Sequence, residues 1–205
     1  NPANCLAIVT ADNDTASQSY YNQAMLTARL SSTTELTIEQ NSFGDVNANF
    51  NWAVIEFDPD KIGGIQHGST TVDSNTYFSP KTVNISSVDP NRSILIFQVR
   101  PNDNELTQTA WAGNFVSAEQ LKFYQHDPVS SADIEWYVLD FGAGATHAQR
   151  GVVDYSLCIY SGWYTADVAL SPAVDTYRTI YFHSLTCDGG TAFPNPYATA
   201  EFTSS

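Results

Sequence analysis

Short segments rich in β-branched and aromatic residues alternate along this chain with polar stretches that contain Pro, Asn, Asp and Gly. In the middle of the chain these apolar segments read STTV, KTVNIS, SILIFQV, NFVSAEQLKFY and IEWYVLDF. Segments of this length and composition, separated by turn-forming residues, predict β-strands. We therefore predict an all-β fold made of small antiparallel β-sandwiches.

The segment IEWYVLDF is apolar on both faces of its predicted strand, and NWAVIEF repeats the pattern. Alternation places Ile134, Trp136 and Val138 on one face and Tyr137, Leu139 and Phe141 on the other. A strand in a sandwich needs only one buried face. The second face is expected to contact an adjacent unit or another chain.

Whole blocks of sequence recur. NFNWAVIEF returns as DIEWYVLDF with Trp52 and Trp136 84 residues apart, and the strands that start near Asn1 and Asp89 are 88 residues apart. A period of about 84–88 residues predicts tandem repeats. Residues 1–57 would hold the later strands of a first copy, 58–141 a complete copy and 142–205 the earlier strands of a third. Both terminal copies are thus expected to be incomplete.

Three arrangements would give the incomplete copies their partners: closure by both termini of one chain, strand complementation between successive chains, or membership of a longer array. Complementation between chains is head to tail and does not need to close, so it would produce a fibre. The residues expected at such a junction are Cys5, Leu6, Ile8, Leu36, Trp52, Ile55, Phe57, Ile180, Phe182 and Phe202.

The charge excludes some partners. Eight basic residues against 22 acidic ones give a net charge of −14, so nucleic acid and anionic membranes are not expected to bind. No segment approaches the roughly 20 apolar residues of a membrane span. Ser, Thr, Asn and Tyr are abundant, as in many extracellular β proteins, and three sequons would permit N-glycosylation at Asn13, Asn84 and Asn91. We expect a secreted protein.

Three cysteines lie at no metal-ligand spacing. A disulfide between Cys158 and Cys187 is expected because both belong to the last copy. Cys5 would then remain as a thiol or pair with another subunit.

Polar loops follow the SILIFQV-type strands. Their residues Asp12, Asp14, Asn102, Asp103 and Asp188 are candidate ligands for a sugar or for Ca²⁺. Calcium takes about six to eight oxygen ligands, more than each loop offers, so ordinary turn chemistry is the preferred interpretation. No cofactor is expected, and calcium is the alternative.

Four segments, read in order, resemble the strand sequence of the H-type lectin fold. They are Gln66-x-Gly68, VNISSVDPNRSILIFQV, VSAEQLKFYQ and IEWYVLDF. They also resemble tandem repeats of large secreted bacterial proteins. The resemblance implies a small antiparallel sandwich and, as an alternative function, a carbohydrate-binding adhesin.

Catalysis is not expected. Glu56 and Asp140 end equivalent strands in separate copies, whereas a glycosidase pair must face one cleft, and the sequence contains no G-x-S-x-G motif. The sequence thus predicts a secreted, non-enzymatic structural subunit of an extracellular fibre or surface assembly, with a lectin-like adhesin as the alternative.

Overall fold

The computed structural model describes residues 2–12, 25–40, 49–73, 80–102, 111–124, 131–142, 149, 169–171 and 173. Across these residues the fold is all-β, as predicted, and contains no α-helix. Short 3-10 turns at Pro2–Asn4 and Pro90–Arg92 precede two of the strands. The strands are β1 (Cys5–Asp12), β2 (Leu26–Leu30), β3 (Leu36–Gln40), β4 (Asn49–Glu56), β5 (Gly64–Val72), β6 (Lys81–Asn84), β7 (Ser93–Pro101), β8 (Ala112–Ser117), β9 (Gln120–Tyr124) and β10 (Ala132–Asp140).

A three-stranded antiparallel sheet, in the order β5, β10, β7, forms the middle of the described structure. A second sheet, in the order β6, β9, β8, covers one of its faces. The core between them contains Ile134, Trp136 and Val138 from β10, and Leu121 and Phe123 from β9. Leu121 and Phe123 are completely buried, so this apolar contact joins the two sheets into a sandwich.

The other face of β10 is buried as well. Tyr137 and Leu139 pack in a second core with Leu6 of β1 and with Leu26 and Ala28 of β2. The predicted burial of both faces of this strand is therefore confirmed. The covering layer is formed by earlier strands of the same chain.

Polar contacts hold this layer in place. The side chain of Gln98 on β7 accepts a hydrogen bond from the backbone N–H of Val9 (3.1 Å) and donates one to the carbonyl of Ala7 (2.9 Å). The hydroxyl of Tyr137 donates to the carbonyl of Ala28 at 3.1 Å, and burial raises the pKa of Tyr137 to about 12. These bonds satisfy polar groups that would otherwise be costly to bury.

Strand pairing follows the same register in both halves of the described structure. Val9 pairs with Trp52 between β1 and β4, and Phe97 pairs with Trp136 between β7 and β10. Shifting β1 by 88 residues and β4 by 84 places all their pairs on the β7–β10 ladder. The agreement is consistent with repetition, and the division into repeat copies stays a prediction.

Candidate assembly interface

Strand β4 exposes every side chain from Phe50 to Glu56. Phe50 is 49% exposed, Trp52 60%, Val54 37% and Ile55 41%. Side chains alternate between the two faces of a strand, so β4 is apolar and open on both. Among the described residues this is the main concentration of large exposed apolar side chains.

The backbone of β4 is anchored along one edge. It pairs with β1 over its full length, and the N–H of Phe57 extends the contact by donating to the carbonyl of Asn4 at 2.9 Å. Strand β1 is itself held in the second core by Leu6 and Ala7, which are 1% and 0% exposed. Within the described ranges, no strand pairs with the other edge of β4. The strand is therefore held in place along its β1 edge, and its side chains from Phe50 to Glu56 are exposed.

Strand β10 has the same sequence pattern and the opposite environment. It pairs with β7 on one edge and with β5 on the other, and the residues from Ile134 to Leu139 are all buried. Trp136 is 7% exposed, whereas Trp52 at the equivalent position is 60% exposed. Among the described residues, β4 therefore differs from β10 in having no second neighbouring strand and no layers that cover its faces.

The described residues among those predicted at a junction fall into three groups. Cys5 and Leu6 are buried, while Ile8, Leu36 and Phe57 are half-buried against the second core. Trp52 and Ile55 are exposed on β4. Their exposed neighbours Phe50 and Val54 are not among the junction residues named from the sequence, although both lie in the same apolar strand pattern.

Several other predicted residues fall outside the described part of the chain, or have side chains that it does not describe. Asp12 ends β1, but the position of its side chain is not described. The residues outside the described ranges are Asn13, Asp14, Asp103, Cys158, Ile180, Phe182, Cys187, Asp188 and Phe202.

The remaining predicted sites lie at the surface. The sequon residues Asn84 and Asn91 are both exposed, and the side-chain oxygen of Asn84 accepts a hydrogen bond from Gln120 at 3.2 Å. The backbone N–H of Asn102 donates to the carbonyl of Ser131 at 2.8 Å, one residue beyond the last pair of the β7–β10 ladder. The described residues include no group of three or more His, Cys, Asp or Glu side chains arranged to hold a metal ion.

A charged cluster that the sequence did not predict joins strands β2 and β3 to the central β5–β10–β7 sheet. Arg29 contacts Glu39 at 3.1 Å and Glu135 at 3.3 Å, while Arg100 contacts Asp133 at 2.7 Å and Glu39 at 3.6 Å. The hydrogen bond from Arg29 lowers the pKa of Glu39. Burial raises the pKa of Glu135, against the opposing charge of Arg29. The cluster connects β2, β3, β7 and β10, so we assign it a structural role.

A scan against protein-family models found no match, and searches of curated proteins and of solved structures found none either. No helix in the described ranges is long and apolar enough to cross a bilayer.

Proposed function

We propose that this protein is a secreted, non-enzymatic structural subunit that assembles with copies of itself, head to tail, into an extracellular fibre or surface layer. The single observation that carries the proposal is the contrast between β10, buried between two neighbouring strands, and β4, which is exposed on both faces.

An exposed apolar edge strand favours pairing with another strand. Proteins that stay monomeric commonly protect such edges with Lys, with Pro or with a covering loop. Strand β4, NFNWAVIE, contains neither Lys nor Pro, and its one charged residue is Glu56 at the end. Full burial of a large apolar side chain contributes roughly 1.5–3 kcal/mol. Covering Phe50, Trp52 and Ile55 in a second copy would therefore provide a substantial driving force.

The expected contact is heterologous, because the surface around β4 would meet a different surface of the next copy. Repeated contacts of this kind form an open filament unless the rotation between copies closes a ring. Main-chain hydrogen bonds along the edge would provide affinity, and the side chains on either face would provide specificity.

The test compares β4 with an exposed apolar position elsewhere. Trp52→Lys and Ile55→Lys place a charge on the proposed contact, and Val116→Lys makes the same change on β8, where Val116 is 53% exposed. Sedimentation velocity over a range of concentrations and negative-stain microscopy would measure assembly, and circular dichroism would check folding. We expect the unmodified protein and Val116→Lys to polymerise and both β4 variants to remain monomeric and folded.

Two outcomes would overturn the proposal. One is an unmodified protein that stays monomeric at every concentration. The other is folded β4 variants that polymerise as well as Val116→Lys does.

A carbohydrate-binding adhesin is the second candidate, and the exposed indole of Trp52 is the observation that favours it. Aromatic rings that expose an apolar face commonly stack on sugars. Glycan-array binding by a discrete, non-polymerising species, lost in Trp52→Ala and kept in Val116→Ala, would support the adhesin over the fibre.

A further inference from the structure

The pairing of β5 with β10 shows how a Trp strand of this type is completed. Gly68 on β5 lies directly opposite Trp136 on β10. A Cβ atom added at Gly68 would lie 2.6 Å from Cζ2 and 3.0 Å from Cε2 of the Trp136 ring. The indole therefore covers the glycine, and pairing an aromatic residue with a glycine across strands is a known way to stabilise a sheet edge. This contact requires glycine at the position opposite the tryptophan.

Strand β4 provides a tryptophan equivalent to Trp136, which is one of the two residues in this contact. Because the β1–β4 and β7–β10 ladders share one register, Trp52 occupies the position of Trp136. Trp52 is 60% exposed. In the described ranges no strand lies along the edge of β4 that corresponds to the β5 edge of β10.

A segment that resembles part of β5 in sequence occurs later in the chain, where Gln149 is its one described residue. Residues 148–155 read AQRGVVDY, against IQHGSTTV at 65–72, so Gln149 and Gly151 match Gln66 and Gly68. The segment also has Val152 and Val153 where β5 has Ser and Thr, and β-branched apolar residues suit a strand that meets apolar neighbours.

A pair of similar hydrogen bonds supports the equivalence of Gln66 and Gln149 independently of the sequence match. The side-chain oxygen of Gln66 accepts from the backbone N–H of Ser86 at 2.7 Å. The side-chain oxygen of Gln149 accepts from the backbone N–H of Ser171 at 2.8 Å. Each glutamine thus accepts a hydrogen bond from the backbone N–H of a serine 20 or 22 residues downstream, which supports the alignment of Gln149 with Gln66.

We propose that residues 148–155 of a second copy pair with β4 as its missing strand, in the register that sets Gly151 opposite Trp52. The same register sets Gln149 opposite Val54 and Val153 opposite Phe50, following the β5–β10 ladder. This inference depends on the proposed self-assembly and names the segment and the alignment that would produce it.

Disulfide trapping between full-length chains tests the register. In the β5–β10 ladder Ser69 lies opposite Glu135, which places Val152 opposite Asn51 in the proposed junction. Paired strand positions are close enough for a disulfide. Chains carrying Asn51→Cys would be mixed with chains carrying Val152→Cys, oxidised, and examined by non-reducing electrophoresis and peptide mass spectrometry. We expect a cross-link between positions 51 and 152.

The matched control moves the second cysteine by one residue. Val153→Cys points to the opposite face of the strand, so it should cross-link to Asn51→Cys far less. Each cysteine variant mixed with the unmodified protein measures the background from the native thiols. Equal trapping of both pairs, or stronger trapping at 153, would overturn the proposed register.

The variant Gly151→Val tests the proposed pairing without a cross-link. A side chain at this position would collide with the ring of Trp52, so the concentration needed for assembly should rise about tenfold or more. Gly144→Val, four residues before this segment, should leave it unchanged. Sedimentation of the same samples separates the two proposals: polymers that form without the 51–152 cross-link and tolerate Gly151→Val contradict this inference alone, whereas the absence of polymers contradicts both.

Discussion

Glu39 and Glu135 both contact Arg29, yet their environments shift their pKa values in opposite directions. Glu39 is about one-third exposed, and its hydrogen bond with Arg29 outweighs desolvation, so its pKa falls below the ordinary 4.5. The side chain of Glu135 is 9% exposed, and desolvation outweighs the attraction to Arg29, so its pKa rises above 4.5. One arginine therefore stabilises the ionised form of one partner more effectively than that of the other.

The two pKa shifts predict opposite pH dependences for the contributions of Glu39 and Glu135 to folding stability. A lowered folded-state pKa gives Glu39 a stabilising contribution that is present above about pH 4.5 and is lost as the pH falls through the lowered value. A raised folded-state pKa makes the contribution of Glu135 largest below about pH 4.5, and it declines as the pH rises through the raised value. Glu39→Gln should therefore be less stable than the unmodified protein at neutral pH, by roughly 0.2–1 kcal/mol, with the deficit shrinking in acid.

Glu135→Gln should gain stability relative to the unmodified protein between about pH 4 and pH 7. Urea unfolding of both variants across this range measures the difference, and each variant serves as the control for the other. Parallel pH profiles for the two variants would contradict this assignment of the shifts.

At the level of strands, β4 and β10 show that one sequence pattern can occupy two environments. Both alternate apolar side chains on two faces around a central tryptophan. Their burial differs because β10 has two neighbouring strands and two covering layers, while β4 has only β1 beside it within the described ranges. Burial is therefore determined by the position of each strand in the sheet.

Equivalent valines on β4 and β10 show this difference in burial. Val138 on β10 is completely buried and Val54 on β4 is 37% exposed. Val138→Ala should lower the free energy of unfolding by about 2–3 kcal/mol because it removes buried methyl groups and leaves a cavity. Val54→Ala should change it by less than about 0.5 kcal/mol in dilute, unassembled protein. Urea denaturation measures both, and equal losses would mean that β4 is buried in the single chain.

The sequence predicted the strands and the two-faced pattern of β10, because alternation and turn residues are local signals. It did not predict that Leu6 would be buried inside the chain while Trp52 would be exposed, since both belong to apolar strands of similar composition. The contacts between Arg29 and Glu135, and between Gln98 and β1, join residues far apart in the sequence. Contacts of this kind depend on how the layers pack, which no local pattern records.

For the whole molecule, the charge opposes association while the apolar strand favours it. Each chain carries a net charge of −14, so copies repel one another at long range. This repulsion is screened by salt over a distance of about 10 Å at 0.1 M ionic strength. Contacts between apolar side chains and between backbones do not depend on that screening. Salt concentration alone should therefore change the balance between charge repulsion and the apolar and backbone contacts.

We expect the polymerised fraction at a fixed protein concentration to increase as sodium chloride is raised from low to physiological ionic strength. The physical reason is that screening weakens repulsion between acidic copies and leaves the burial of Phe50, Trp52 and Ile55 intact. Light scattering over a salt series measures the fraction, and Trp52→Lys, which removes the apolar contact, is the control that should not respond. If salt dissolved the polymers, the contact would have to depend on ion pairs between copies. In that case the apolar edge of β4 would not be the surface that holds them together.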